Sequence, residues 1–286
     1  MKISDILKEK EITVSCEIFP PKLGTELDQS RKIVAEIAAL KPDFISVTYG
    51  AAGSTARFTA ELAEEVEHCG VASLAHVTCV SSDAESLSEY LNSLNANGIQ
   101  NILALRGDMP QGREPKKVYE HASDLATAIK GMGDFCIGGA CYPEGHPEAK
   151  SVSADIDALK IKAESGCEFF TTQMFFDNDI MYSFMTKFQR KGINIPVIAG
   201  IMPITNARQL QRSASLSGTT VPRRLREIVE RFGDKPLALR QAGIAFATEQ
   251  IIDLIANGVN NIHIYAMNKP DVAAEILANI SEIRNI

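Results

Sequence analysis

Eight short apolar runs, each followed by a stretch of helical periodicity, fill the 286 residues of the chain. They begin near Ile12, Asp43, Ala72, Asn101, Cys136, Glu168, Ile195 and Asn261. That rhythm, over a length close to the roughly 250 residues the fold uses, predicts an α/β chain folded as a (β/α)8 TIM barrel. One barrel uses nearly all of the sequence, so a single domain over residues 1–286 is expected. Such barrels carry their chemistry at the C-terminal ends of the strands, so the sequence nominates the place of its own active site.

The first run, 12–19, alternates. Thr13, Ser15, Glu17 and Phe19 share one parity; Val14, Cys16 and Ile18 share the other. Successive strand side chains point to opposite faces. Turning the apolar set toward the helices sends Glu17 into the barrel near its upper end, and Pro20-Pro21 stops the strand. A helix is predicted over 26–40, and a second strand over 44–49 followed by a loop at 50–53. The third strand ends at 76–79, with Asp83 as a helix N-cap. The fourth, 101–105, is nearly all apolar, as a strand buried on both faces should be, and ends in Arg106-Gly107-Asp108. A Pro/Gly-rich loop at 109–115 follows. Further strands are predicted at 136–142, 168–175, 195–201 and 261–266, with a helix beginning near Ser153. Extra helices at about 206–216, 222–232 and 237–257 enlarge the interval between strands seven and eight.

Composition removes several function classes. The hydrophobic content of 45% is enough for a large core, and the net charge of −7 argues against nucleic acid. The basic run Arg223, Arg224, Arg226 shares its helix with Glu227 and Glu230, as a solvated face would. Residues 1–11 hold no signal-peptide core and no run has membrane-spanning length, so a cytoplasmic protein without a membrane span is expected. Six cysteines, at 16, 69, 79, 136, 141 and 167, form no C-x-x-C pair and fit reduced thiols. The histidines at 68, 76, 121, 146 and 263 make no metal-ligand spacing, and no metal is expected. No G-x-S-x-G elbow, strand-core lysine or G-x-G-x-x-G is present, so a nucleotide cofactor would have to lie across the barrel mouth.

The polar residues at strand ends are Glu17, Thr48, His76, Arg106, Asp108, Tyr142, Gln173, Tyr265 and Asn268. They come from seven strands and converge on one mouth in a barrel. Two carboxylates there can divide acid and electrostatic roles if their surroundings differ. Glu17 is walled in by the barrel; Asp108 follows a glycine and neighbours Arg106. Taken singly, each has a plainer role: Glu17 in a buried ion pair, Asp108 capping a loop, His76 and His146 as structural histidines, Thr48 and Tyr142 as packing.

Six ordered motifs then carry a resemblance across the chain: C-E-I-F-P-P at 16–21, V-T-Y-G-A at 47–51, H-V-T-C at 76–79, A-L-R-G-D at 104–108, Y-P-E-G-H-P-E-A at 142–149 and T-Q-M-F-F-D at 172–177. G-I-M-P-I at 200–204 and I-Y-A-M-N at 264–268 continue it. The series resembles methylenetetrahydrofolate reductases of the bacterial type, with a catalytic barrel alone. The resemblance implies non-covalent FAD at the mouth and reduction of 5,10-methylenetetrahydrofolate to 5-methyltetrahydrofolate. It implies ping-pong transfer of a hydride from NAD(P)H through the flavin, within one-carbon metabolism. Glu17 matches the family's general acid, and Asp108 the aspartate near flavin and pterin. Gln173 matches a substrate contact, with Tyr265 and Lys269 beside it. Thr48, His76, Arg106, Asp108, Tyr142, His146, Asp155 and Lys162 match flavin-contacting positions.

Two positions depart from the family pattern. Ala207 stands where an aromatic residue is expected after strand seven, and Lys269 where an arginine is common after strand eight. Both bear on the nicotinamide, so a protein electron donor is an alternative to NAD(P)H. A homo-oligomer is expected. Two other readings stay open: a proline dehydrogenase-like flavin barrel and a non-catalytic subunit.

Overall fold

A computed structural model describes residues 1–21, 24–49, 56–108, 115–116 and 118–285. The loop expected at 50–53, and residues 109–114 of the one expected at 109–115, lie outside these described residues. Eight parallel strands close into one barrel in sequence order: β1 (Thr13–Ile18), β2 (Phe44–Val47), β3 (Ala72–Thr78), β4 (Asn101–Leu105), β5 (Cys136–Cys141), β6 (Cys167–Thr172), β7 (Val197–Ile201) and β8 (Asn261–Ile264). Closure pairs Thr13 with Asn261 and Cys16 with Ile264. Around the barrel run α1 (Ile3–Glu9), α2 (Leu27–Ala38), α3 (Ala56–His68), α4 (Ala84–Ala96), α5 (Ala122–Met132), α6 (Val152–Glu164), α7 (Asn178–Arg190), α8 (Ala207–Ser217), α9 (Arg223–Phe232), α10 (Pro236–Ala256) and α11 (Pro270–Asn279). The TIM barrel predicted from the apolar rhythm is the observed fold, with α8 to α10 as the enlarged interval before β8.

Strand parity divides the interior. Val14, Cys16 and Ile18 join the large cluster between sheet and helices. Phe44, Leu74, Leu103, Cys136, Phe169 and Ile198 form a separate cluster with Ile3, Ile6 and Leu7 of α1. Helix α1, which the sequence reading missed, therefore plugs the N-terminal end of the barrel. Buried Asn101, the first residue of β4, fastens it. Its Oδ1 accepts from the Ile3 amide at 2.7 Å, and its Nδ2 donates to the Met1 and Ser73 carbonyls, each at 3.0 Å.

Several boundaries shift for local reasons. Strand β6 stops at Thr172, not 175, because Met174 and Phe176 turn into a third cluster with Met202, Ile204, Leu210 and Leu225. Helix α10 lies directly on this region: a Cβ on Gly243 would stand 1.8 Å from the Ile204 carbonyl oxygen, so only glycine fits. Strand β7 begins after Pro196, whose carbonyl accepts from the Phe170 amide. Ser151, not Ser153, caps α6, its Oγ accepting from the Ala154 amide at 3.2 Å. Asp83 caps α4 as expected, through the Ser86 amide at 2.9 Å.

All six cysteines are free, and only Cys69 is exposed. Burial pushes the Cys16 and Cys167 thiols up to about 12. Arg223 pairs with Glu227 and Arg224 with Glu249 on a solvated face. No described helix is long and apolar enough to cross a membrane.

Candidate active site

Glu17 lies one residue before the end of β1, facing inward as its parity requires, and is 8% exposed. Around its Oε2 stand Ser46 Oγ of β2 at 3.4 Å, His263 Nε2 of β8 at 3.8 Å and His76 Nε2 of β3 at 3.9 Å. Three strands thus converge on one carboxyl group. Burial pushes His76 down to about 4; Glu17 opposes that shift and His263 adds to it. His76 is therefore neutral near pH 7. Its buried Nε2 has no hydrogen-bond partner among the described residues. His263 is fixed by Phe44, stacked at 6.1 Å, and by the edge of Tyr265 at 5.0 Å.

The mouth beside this pocket is charged. After β4 the chain turns through Arg106-Gly107-Asp108. Gly107 has φ +84°, and a Cβ there would meet Thr78 Cβ at 2.7 Å, so both the turn and its approach to β3 require glycine. The turn leaves Asp108 exposed and Arg106 partly so. The Arg106 fork grips both carboxylate oxygens of Glu148, with Nη2 to Oε1 at 3.0 Å.

The next wall is continuous with it. Tyr142 meets His146 edge-on at 4.7 Å. His146 Nδ1 accepts from the Glu148 amide at 3.1 Å, and the His146 amide donates to Asp155 Oδ2 at 3.1 Å. Burial and, next, Arg106 hold the His146 imidazole below its ordinary value. Lys162, two turns beyond Asp155 on α6, donates to the Ala140 carbonyl at 2.8 Å. Arg106, Tyr142, His146, Asp155 and Lys162 thus form one connected side of the mouth.

The remaining predicted residues are spread around the rim. Thr48 follows β2, its amide bonded to Ile18 and its carbonyl accepting from the Thr59 hydroxyl at 2.9 Å. Gln173 follows β6; its amide donates to Cys141 and its Oε1 accepts from the Met174 amide at 3.0 Å. The Tyr265 hydroxyl donates to the Thr172 carbonyl at 2.6 Å, which braces β6 against the chain after β8. Lys269 Nζ donates to Thr205 Oγ1 at 2.8 Å. Asn268 pairs its amide with both backbone groups of Phe19, at 2.8 and 3.0 Å, locking the end of β1.

The sequence reading passed over Ser46, His263 and Glu148. For Ser46 and His263 the signal was available: alternation on β2 and β8 puts both on the inward face occupied by Glu17. Glu148 gave no such signal, because its role depends on a loop folding back over Arg106. No cluster of three or more His, Cys, Asp or Glu suited to a metal ion occurs among the described residues.

A family model described as methylenetetrahydrofolate reductase matches residues 2–281. Methylenetetrahydrofolate reductase (NADH) 1 of Arabidopsis thaliana is 34% identical over 299 residues, covering 99% of this chain and 50% of that protein. The 5,10-methylenetetrahydrofolate reductase of Pectobacterium carotovorum subsp. carotovorum is 34% identical over 266 residues, covering 93% of this chain and 89% of that protein. The Escherichia coli (strain K12) 5,10-methylenetetrahydrofolate reductase is 33% identical over 268 residues. The chain therefore spans about half the length of the plant relative and about nine-tenths of the bacterial ones. Among solved structures, an uncharacterized protein from Clostridium thermocellum that binds two copies of 5-methyl-5,6,7,8-tetrahydrofolic acid superposes with a TM-score of 0.69 at 16% identity, covering 99% of this chain and 98% of that one. At that identity the likeness concerns the fold alone. With the family model matched across all eight strands, and relatives one-third identical over nearly the whole chain, this chain belongs to the methylenetetrahydrofolate reductase family.

Proposed function

We propose that this chain reduces 5,10-methylenetetrahydrofolate to 5-methyltetrahydrofolate, with FAD held across the barrel mouth and a reduced nicotinamide as donor. The observation that carries the reading is Glu17: a buried carboxyl group at the upper end of β1, whose nearest ionisable partners among the described residues are the His263 and His76 imidazoles at 3.8 and 3.9 Å. A carboxyl group there is placed to give a proton to a substrate. Donated to the folate, that proton promotes opening of the imidazolidine ring to an electrophilic iminium.

The residues present fit FAD. His76 offers a buried Nε2 without a hydrogen-bond partner among the described residues, which a bound group would satisfy. Arg106 and Lys162 supply cationic donors on the same wall as the Asp155 carboxylate, which suits phosphate and ribose hydroxyls respectively. FAD, when bound, supplies the hydride relay between nicotinamide and the one-carbon unit. In this arrangement Asp108, exposed at the rim, sets a negative charge against the cationic opened folate. Gln173, Tyr265 and Lys269 shape the opposite side of the cleft.

One observation favours a second source of electrons. Ala207, the first residue of α8, offers a methyl group where the family pattern has an aromatic ring, and Lys269 is engaged by Thr205. Both leave less to stack on or grip a nicotinamide, which suits a protein donor feeding the same flavin.

Visible spectra taken anaerobically through each half-reaction test both. Bleaching by NADH or NADPH, then recovery with methylenetetrahydrofolate, is the expected result. A yellow protein bleached by dithionite but not by nicotinamide, and reoxidised by folate, would replace the donor. A colourless protein that takes up no FAD would overturn the proposal.

A further inference from the structure

The floor beneath Glu17 contains a hydroxyl placed between two acceptors. Ser46 Oγ stands 3.4 Å from Glu17 Oε2 and 3.4 Å from His263 Nε2. Its single proton serves one of them at a time. On the other side of the ring Ser15 Oγ stands 3.1 Å from the Ile262 carbonyl and 2.7 Å from His263 Nδ1; with its proton on the carbonyl, its oxygen accepts from His263 Nδ1. A neutral imidazole carries one ring proton. With that proton on Nδ1, Nε2 turns a lone pair toward Ser46 and Glu17. His263 is held in this orientation by Phe44 and Tyr265 and is 2% exposed.

We propose that Ser46 is a hydroxyl rotor that follows the charge of Glu17, with His263 as its second station. While Glu17 keeps its proton, the Ser46 hydroxyl donates to His263 Nε2. Once Glu17 gives its proton to the folate, the hydroxyl turns about its Cβ–Oγ bond and donates to the new carboxylate. No proton leaves Ser46 and no covalent bond changes; one hydrogen bond is exchanged for another. Ser46 and His263 are thus positioning residues. They give the ionised acid a hydrogen bond that the protonated acid leaves to His263. The titratable groups facing Glu17 are His76, His263 and Tyr265. His76 is neutral because burial pushes it to about 4, and burial raises the Tyr265 phenol well above its ordinary value.

This deepens the reading of Glu17 as the acid, and its test is independent of turnover. Infrared spectra of the full chain, at a fixed pH where wild-type Glu17 is partly protonated, report its carboxylic C=O band, assigned by its loss in E17Q. S46A removes the donor to the carboxylate and is expected to raise the ratio of protonated to ionised Glu17 by about three- to tenfold. H263N keeps a donor near Nδ1 but deletes Nε2, leaving the hydroxyl to Glu17 alone, so the ratio is expected to fall by a similar factor. Shifts of the same sign, no shift in S46A, or no Glu17 band at any pH where the protein stays folded would each overturn the proposal. S46A deletes a single oxygen, so its sign decides alone if the H263N chain does not fold. Folate reduction persisting in E17Q would instead remove the acid assignment, while the infrared shifts would still measure the rotor.

Discussion

The two ends of the barrel are built on the same inward parity and do opposite work. At the N-terminal end, Phe44, Leu74, Leu103, Phe169 and Ile198 close around α1. Two residues higher on β2 and β3 the inward positions are Ser46 and His76, and β1 and β8 bring Glu17 and His263 beside them. The upper layer rests directly on the lower one. The apolar plug of α1 closes the end of the barrel below the pocket. In that setting a carboxyl group and two imidazoles interact more strongly than they would in water.

If the upper layer is chemical and the lower one structural, variants should separate. The largest expected effect is at Glu17. E17Q should keep the fold and FAD while the folate half-reaction slows by roughly 100- to 10,000-fold, the usual contribution of a general acid. Nicotinamide oxidation with an artificial acceptor should persist. Stopped-flow traces of each half-reaction check this, and equal loss of both would erase the division. In the lower layer, Phe169 is fully buried. F169A should cost about 3–5 kcal/mol of stability in urea unfolding, since truncating a core phenylalanine leaves a cavity. The flavin spectrum of the folded fraction should not change.

The smallest effect concerns the seam between the layers. His76 stands at about 4 in the folded chain against an ordinary 6.5. The unfolded chain therefore binds this proton first as pH falls. Stability should decline as pH drops from about 6.5 toward 4, by roughly 1–3 kcal/mol, and this component should level off below 4. Replacing His76 with glutamine should flatten that part of the pH–stability curve. An unchanged slope would mean the imidazole is as easily protonated in the fold as outside it.

Much of the architecture was legible because it rests on periodicity. The eight strands, the inward parity of Glu17, the Asp83 cap and the three helices before β8 all follow from alternation, helical spacing or local capping. The misses share another cause. Strand β6 ends early because Met174 and Phe176 find partners in α8 and α9, more than thirty residues away in sequence. Helix α1 is too short for its spacing to announce it, and it is held by Asn101, nearly a hundred residues on. Glu148 became relevant only once its loop brought it onto the Arg106 fork.

By itself the sequence determined the barrel, the strand ends where polar residues gather, and the motifs that resemble one reductase family. Each depends on interactions within a few residues, or on a repeat that any closed parallel sheet must satisfy. Only the tertiary structure decided that Glu17 shares its pocket with Ser46, His76 and His263, that an N-terminal helix plugs the floor, and that Arg106 is gripped by Glu148. These are contacts between strands and loops far apart along the chain. Their distances are set by barrel closure and packing, which no local pattern encodes.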